Sequence, residues 1–317
     1  MRILILGAGA TGGYFGGLLA KAGVDVTFLV RPKRREQLIN GGLRIKSHLG
    51  DVVTRVTAIT HDEISNTFDA VILSSKAYGL ADAIDAIRPA VGDATLILPL
   101  LNGMRHLDDL DDAFGASRVL GGTCHISVSL DEDGTIHHLS PFGSLTQGPR
   151  TNDQQEGAMR LQKELERGGF EARYADDIIG AMWEKWFFLA TLAGSTCLMR
   201  ASVGEIVRTD EGERFISRML DECSAVAKAC GHAPQPASQS NARTTLTDRQ
   251  SNISASMLRD IQRGGEIEGD HIVGDLIRRG REQGVPTPLL EVAYIHLQAY
   301  QNRTRAGSET AQLLGQD

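Results

Sequence analysis

The chain is poor in proline, with 9 in 317 residues, and its four cysteines, Cys124, Cys197, Cys223 and Cys230, form no CxxC pair and no zinc-ligand spacing. A chain of this length needs no disulfide framework, so the cysteines read as small buried hydrophobes in a reducing cytosol, and no metal site is expected. Basic residues are not in excess: 33 Lys and Arg stand against 40 Asp and Glu, a net charge of −7. That balance excludes a broad cationic surface for nucleic acid or anionic lipid, and any anionic ligand must be held by a local cluster. Long hydrophobic runs are lacking too. The longest apolar stretch, 186–199, would extend about 21 Å as a helix, short of a hydrocarbon core of about 30 Å. The amino terminus, MRILILGAGATGG, meets its first glycine too soon for a secretory signal, so a cytoplasmic protein is expected. There is no GxxxxGK(S/T) loop, no GxSxG elbow and no HExxH, which leaves nucleotide hydrolysis, esterase chemistry and zincin proteolysis without an anchor.

What is abundant is glycine, 35 residues, about 11% against a usual ~7%, which predicts tight turns and close backbone approaches. Hydrophobic residues at 41% and charged residues at 23% are ordinary globular usage. The length suits two domains of roughly 150 residues each.

Residues 2–6 (RILIL) are a continuous apolar run, as in a parallel strand covered on both faces. A helical segment, 11–22, and a second strand, 24–30, complete a βαβ opening. Further strands are expected at 69–75, 95–100 and 118–127, with helical stretches between them. From 134 to 174, shorter strands around one polar helix (153–167) read as the closing edge of that sheet. After Asp176 the pattern is helical throughout, over 177–199, 203–208, 211–230, 248–262, 266–280 and 288–302. The expected architecture is α/β: a Rossmann-type doubly wound sheet over 1–176, then an all-helical domain over 177–317.

Gly7, Ala8, Gly9, Ala10, Thr11 and Gly12 spell GxGxxG between a strand and a helix. The first glycine makes the tight turn, the second lets backbone approach a pyrophosphate, and the third lets helix and strand pack closely. Unpaired N–H groups of the helix N-terminus then face the phosphates. A ribose 2′-hydroxyl calls for a carboxylate about 20 residues on, and a 2′-phosphate calls for arginine. Arg31 holds that place, followed by Lys33, Arg34 and Arg35, with no acid among them. This favours NADP over NAD, the other reading being a solvated basic loop.

Asn102 (PLLNG) and Lys76 (SSKAY) each follow an apolar strand at the carboxyl end where open α/β sheets bind ligands, yet each also suits an ordinary turn or surface position. Lys185 lies on an apolar helical row with Met182, Leu189 and Leu192. It either snorkels to solvent or faces a site where desolvation eases release of its proton. Glu268 begins the row Glu268, Ile272, Leu276 at a helix start, facing inward or serving as a common N-terminal glutamate. Ser256 either caps a helix or binds a carboxylate.

GAGATGG at the start, LPLLNG at 98–103, Trp183-Glu184-Lys185, and SMLRDIQRGGEIEGDHIVG at 256–274 together resemble the ketopantoate reductase (2-dehydropantoate 2-reductase) family, over nearly the whole chain. The resemblance implies a Rossmann domain joined to a helical domain, and NADPH-dependent reduction of a 2-keto acid in pantothenate biosynthesis. It implies Lys185 as the catalytic lysine and Glu268 as the glutamate that partners it and the bound ligands. It further implies Asn102 near nicotinamide and substrate, Lys76 as a ligand-site lysine, Ser256 as a substrate ligand and Arg31 as the 2′-phosphate ligand. One departure stands out: where the family presents asparagines one and two turns after the lysine, this chain has Leu189 and Ala193. That substitution points to a more apolar 2-keto acid as the rival to ketopantoate. A hydroxyacid or opine-type dehydrogenase, and a non-catalytic NADP-binding sensor, are the remaining alternatives. The apolar helices of the second domain are compatible with a homodimer.

Overall fold

The computed structural model describes residues 1–314, with side chains to residue 306. The chain separates into two compact units. The first comprises Met1–Leu101 and His106–Met182, and the second comprises Asn102–Arg105 and the chain from Trp183 onward.

The strands of the first unit are β1 (Ile3–Leu6), β2 (Val26–Leu29), β3 (Leu43–Lys46), β4 (Val52–Thr54), β5 (Thr57–Ile59), β6 (Ala70–Leu73), β7 (Leu96–Pro99), β8 (Gly121–Leu130), β9 (Thr135–Gly148) and β10 (Glu171–Tyr174). One sheet is wholly parallel with the order β5-β2-β1-β6-β7, and its register aligns Ile3 with Val26 on one side and with Ala70 on the other. The sequence proceeds outward from β1 in both directions, so the ends of β1 and β6 flank a topological switch point. Residues Ile3, Leu4, Ile5 and all of β6 are buried, which explains why these strands read as unbroken apolar runs.

The segments 118–127 and 134–174 do not close the edge of that sheet, contrary to the sequence-based expectation. They form a second, mixed sheet, ordered β10-β9-β3-β4 with β8 antiparallel to β9, and only an Ile97–Val119 bridge touches the first. A tight Asp131–Gly134 turn folds β8 back onto β9, so β8 pairs with the strand that follows it and not along the edge of the first sheet. The short strands β3, β4 and β5 carry too few apolar residues to announce themselves.

The glycines of the first helix, Ala10–Lys21, have a packing reason. A Cβ at Gly16 would crowd Ile5 and Phe28 of the parallel sheet, and one at Gly17 would crowd Leu43 and Ile45 of the mixed sheet. The helix is wedged between both sheets, and only bare backbone fits on its two sides.

The helix Ile178–Met199 runs from the last residues of the first unit into the second, whose other helices are Val203–Val207, Gly212–Ala229, Pro236–Leu246, Ser256–Gln262, Asp275–Glu282 and Pro288–Leu314. The helix at 248–262 starts only at Ser256. Asp248 and Ser251 side chains accept the amides of Gln250 and Ile253, drawing the backbone into turns instead. Pro236–Leu246 is an additional helix that buries only Ala242 and Leu246, so no apolar stripe marks it. The stretch 266–280 is helical only from Asp270, where a π-helical turn (Asp270–Gly274) leads into the next helix. Among the described residues no helix is long and apolar enough to cross a membrane.

Candidate active site

The predicted residues fall into two sets, one in each unit. In the first unit, the loop after β1 has Gly7 at φ 86°, a conformation that disfavours any Cβ, and its amide donates to the Leu29 carbonyl at 2.8 Å. Gly9 occupies the N-cap of the following helix without a side chain to receive the first amides, and a Cβ there would point into open space. At Gly12 a Cβ would stand 2.6 Å from the Gly7 carbonyl oxygen and against the Ser74 hydroxyl. These are the properties of a pyrophosphate cradle: bare backbone, uncapped amides and a helix pressed onto its strand. Ala8, Ala10 and Thr11 complete the loop.

The basic run after β2 divides in two. The Arg34 Nε donates to the Ala8 carbonyl at 3.0 Å and its guanidinium also reaches the Gly134 carbonyl, so Arg34 braces the glycine loop from behind. Arg35 pairs with Glu63 at 2.8 Å. Hydrogen bonds from Thr60 hold the Glu63 carboxyl below its ordinary pKa, which keeps that pair charged. Arg31, at the N-cap of the helix Pro32–Gly41, is exposed and pairs with no described side chain, and Lys33 is likewise exposed. Arg31, the position read from the sequence, and Lys33 are thus the exposed cationic groups of this run. Lys76, three residues past β6 and half-buried, starts a short turn, Ala77–Gly79. The bracing by Arg34 and the steric role of Ser74 were not legible beforehand, because both depend on contacts distant in sequence.

In the second unit, the Lys185 ammonium donates to the Asn102 side-chain oxygen at 2.9 Å. Both residues are half-buried. The Lys185 ammonium is held by an amide, with N–H bonds left to give. Leu189 and Ala193 follow on its helix, Leu189 half-buried and Ala193 fully buried. Glu268 is buried at 6% exposure, and its carbonyl accepts the amides of His271 and Ile272. Ser256 is the first residue of its helix, and the preceding amide, of Ala255, donates to the Thr196 hydroxyl at 3.3 Å. That hydroxyl in turn donates its proton to the Leu192 carbonyl, and Thr196 is fully buried. Two residues that sequence reasoning passed over, Gly103 and Trp186, lie at the junction of these segments. Gly103 has φ 79°, and a Cβ there would stand 2.7 Å from the His271 carbonyl oxygen. The Trp186 indole donates to the Ile272 carbonyl at 2.9 Å.

Comparison with known proteins places these residues in context. Residues 3–152 match the family described as ketopantoate reductase PanE/ApbA, and residues 177–301 match its C-terminal counterpart. The chain is 36% identical to the uncharacterized oxidoreductase YkpB of Bacillus subtilis (strain 168), over 95% of this chain and 99% of that protein. It is similar to the crystal structure of 2-dehydropantoate 2-reductase from Geobacter metallireducens GS-15, at 27% identity and a TM-score of 0.86, covering 94% and 99% of the two chains. D-mandelate dehydrogenase with NADH and anilino(oxo)acetate shares the fold at 22% identity and a TM-score of 0.86, covering 96% and 100%.

Proposed function

Since the chain belongs to the ketopantoate reductase family of NAD(P)-dependent oxidoreductases, we propose that it uses NADPH to reduce a 2-keto acid to the 2-hydroxy acid, with 2-dehydropantoate the first candidate substrate. The observation that carries this reading is the Lys185 ammonium fixed by Asn102 at 2.9 Å. Reduction of a ketone needs a hydride at carbon and a proton at oxygen. The dinucleotide supplies the hydride when bound.

This chain's own residues account for the rest. Gly7, Gly9 and Gly12 would leave room for the pyrophosphate, the amides of Ala10, Thr11 and Gly12 would receive its charge, and Arg31 would hold the 2′-phosphate. Lys185 donates a hydrogen bond and then its proton to the C2 oxygen as that oxygen gains charge, a contribution typically worth ~10²–10⁴ in rate. Asn102 aims the ammonium by accepting one of its protons, leaving the others for substrate. Glu268 is a buried acceptor suited to ligand hydroxyl groups, and Ser256 offers a hydroxyl to the substrate carboxylate.

A second reading concerns the substrate side chain. Leu189 and Ala193 carry no hydrogen-bonding group, Thr196 donates its proton to the Leu192 carbonyl, and Arg243 is paired with Asp221. These features favour a 2-keto acid more apolar than ketopantoate. Fold alone leaves the choice open. NADPH oxidation followed against a panel of 2-keto acids, ketopantoate included, tests both readings. Turnover of several members supports the activity, their ranking selects the substrate, and absence of turnover with every member refutes the proposal.

A further inference from the structure

Lys185 and Glu268 lie on segments 83 positions apart, and what ties those segments together is the residue next to the lysine. Trp186 is 1% exposed, and its indole Nε1 donates to the Ile272 carbonyl at 2.9 Å. The Ile272 amide donates to the Glu268 carbonyl at 3.0 Å. Ile272 sits inside the π-helical turn Asp270–Gly274, where the Asp275 amide reaches back to Asp270 and the regular ladder is widened. Such turns are rare and occur mostly as single-turn bulges, frequently at functional sites.

The indole is itself clamped. The Trp183 ring lies against it with centroids 4.8 Å apart, and the Arg279 guanidinium stands 5.7 Å from its ring centre. Arg279 is anchored by the buried Asp275 carboxylate at 3.0 Å. The residue after Asn102 closes on the same point, because Gly103 leaves no room for a Cβ beside the His271 carbonyl. Chain neighbours of Asn102, Lys185 and Glu268 thus converge on one turn of backbone.

We propose that Trp186 is a positioning residue, whose N–H bond to the Ile272 carbonyl sets Glu268 in register with Lys185. This rests on the reading above, in which Lys185 and Glu268 serve one reaction. It goes beyond that reading in assigning a role to a side chain buried at 1% exposure beside the lysine.

The test compares Trp186→Phe, Glu268→Gln and the double variant. It also uses the protein carrying 3-benzothienylalanine at position 186, which replaces the N–H with sulfur in a ring of nearly the same shape, so that the fold is retained should the phenylalanine variant not fold. Loss of the N–H should lower kcat about tenfold with little change in NADPH affinity, and should speed amide exchange over 268–274 about tenfold while leaving β1 unchanged. In the Glu268→Gln background the same change should cost less than about twofold, since residues acting through one another are not additive. Unchanged exchange over 268–274 on removing the N–H overturns the proposal, as does a full loss of kcat persisting in the Glu268→Gln background. An unmutated enzyme that reduces no 2-keto acid refutes the proposed function instead, and the exchange measurement, made on the free protein, still decides the role of Trp186.

Discussion

The ammonium of Lys185 meets the side-chain oxygen of Asn102 at 2.9 Å across 83 residues of sequence. The lysine comes from the interior of a long helix, the asparagine from the loop three residues past the buried strand β7. Their hydrogen bond turns a mobile side chain into a directed donor, because the amide can only accept at that oxygen.

Removal of the donor should be the severest single change. Lys185→Ala is expected to lower kcat by roughly 10²–10⁴ while NADPH binding, measured by fluorescence titration, stays near its original strength. Asn102→Ala should cost less, about 10- to 100-fold, the worth of one hydrogen bond to a charged group. A loss smaller than about tenfold in a folded Lys185→Ala protein would remove the lysine as proton donor.

Selectivity for the cofactor should reside in one arginine of the basic run. Arg31→Ala is expected to weaken NADPH binding far more than NADH binding, since only the former offers a phosphate for a charge-assisted bond. Arg35→Ala should not alter the ratio, because Arg35 is already paired with Glu63. Titration of both variants with both dinucleotides checks this, and equal losses for Arg31→Ala would contradict it.

Substrate choice should respond to the helix face beyond Lys185. An apolar wall discriminates by only ~1–3 kcal/mol per methylene, whereas a site that hydrogen-bonds a hydroxyl rejects analogues lacking it much more strongly. The kcat/KM for ketopantoate should therefore show no large advantage over its deoxy analogue, and Leu189→Asn should move the preference toward ketopantoate. A native preference of about a hundredfold for ketopantoate would show that some other group binds its hydroxyl.

Stability of the second unit should depend on an unusual cap. The Glu222 carboxylate accepts the amides of Leu289 and Leu290, the first free donors of the helix that begins at Pro288. Glu222→Ala is expected to cost about 1–2 kcal/mol in denaturant unfolding, as loss of a cap and of a favourable charge at a helix start. Unaltered unfolding would mean that solvent serves these amides equally well.

Thiol reactivity should sort the cysteines by burial. Burial pushes the Cys197 and Cys223 thiols up to about 12, so neither supplies thiolate near neutrality. Alkylation of the native protein followed by mass spectrometry should mark Cys230, which is half-buried, before either of them. Labelling of Cys223 ahead of Cys230 would show that the second unit opens far more readily than its packing suggests.

Local chemistry made a good deal of this protein legible from its residues alone. An unbroken apolar run followed by GAGATGG can hardly be anything but a buried parallel strand, a tight turn and a helix start, because each glycine answers a local steric demand. The position of Arg31 follows from the same unit, as does the switch to helices after Asp176, where the apolar period changes from strand to helix. Other matters depended on partners far away in sequence. The segments 118–127 and 134–174 have strand character, but which sheet they join is decided by hairpin closure and by a glycine helix that needs a second sheet on its other side. Of four neighbouring basic residues, sequence cannot tell that Arg34 braces the Ala8 carbonyl and Arg35 meets Glu63 while Arg31 and Lys33 stay exposed. For Lys185, an apolar row by itself favours snorkelling over a ligand-facing orientation, and the hydrogen bond to Asn102 could not be read from that row. Side-chain direction at such a position is set by a hydrogen bond across 83 residues, and no local propensity encodes a bond of that span.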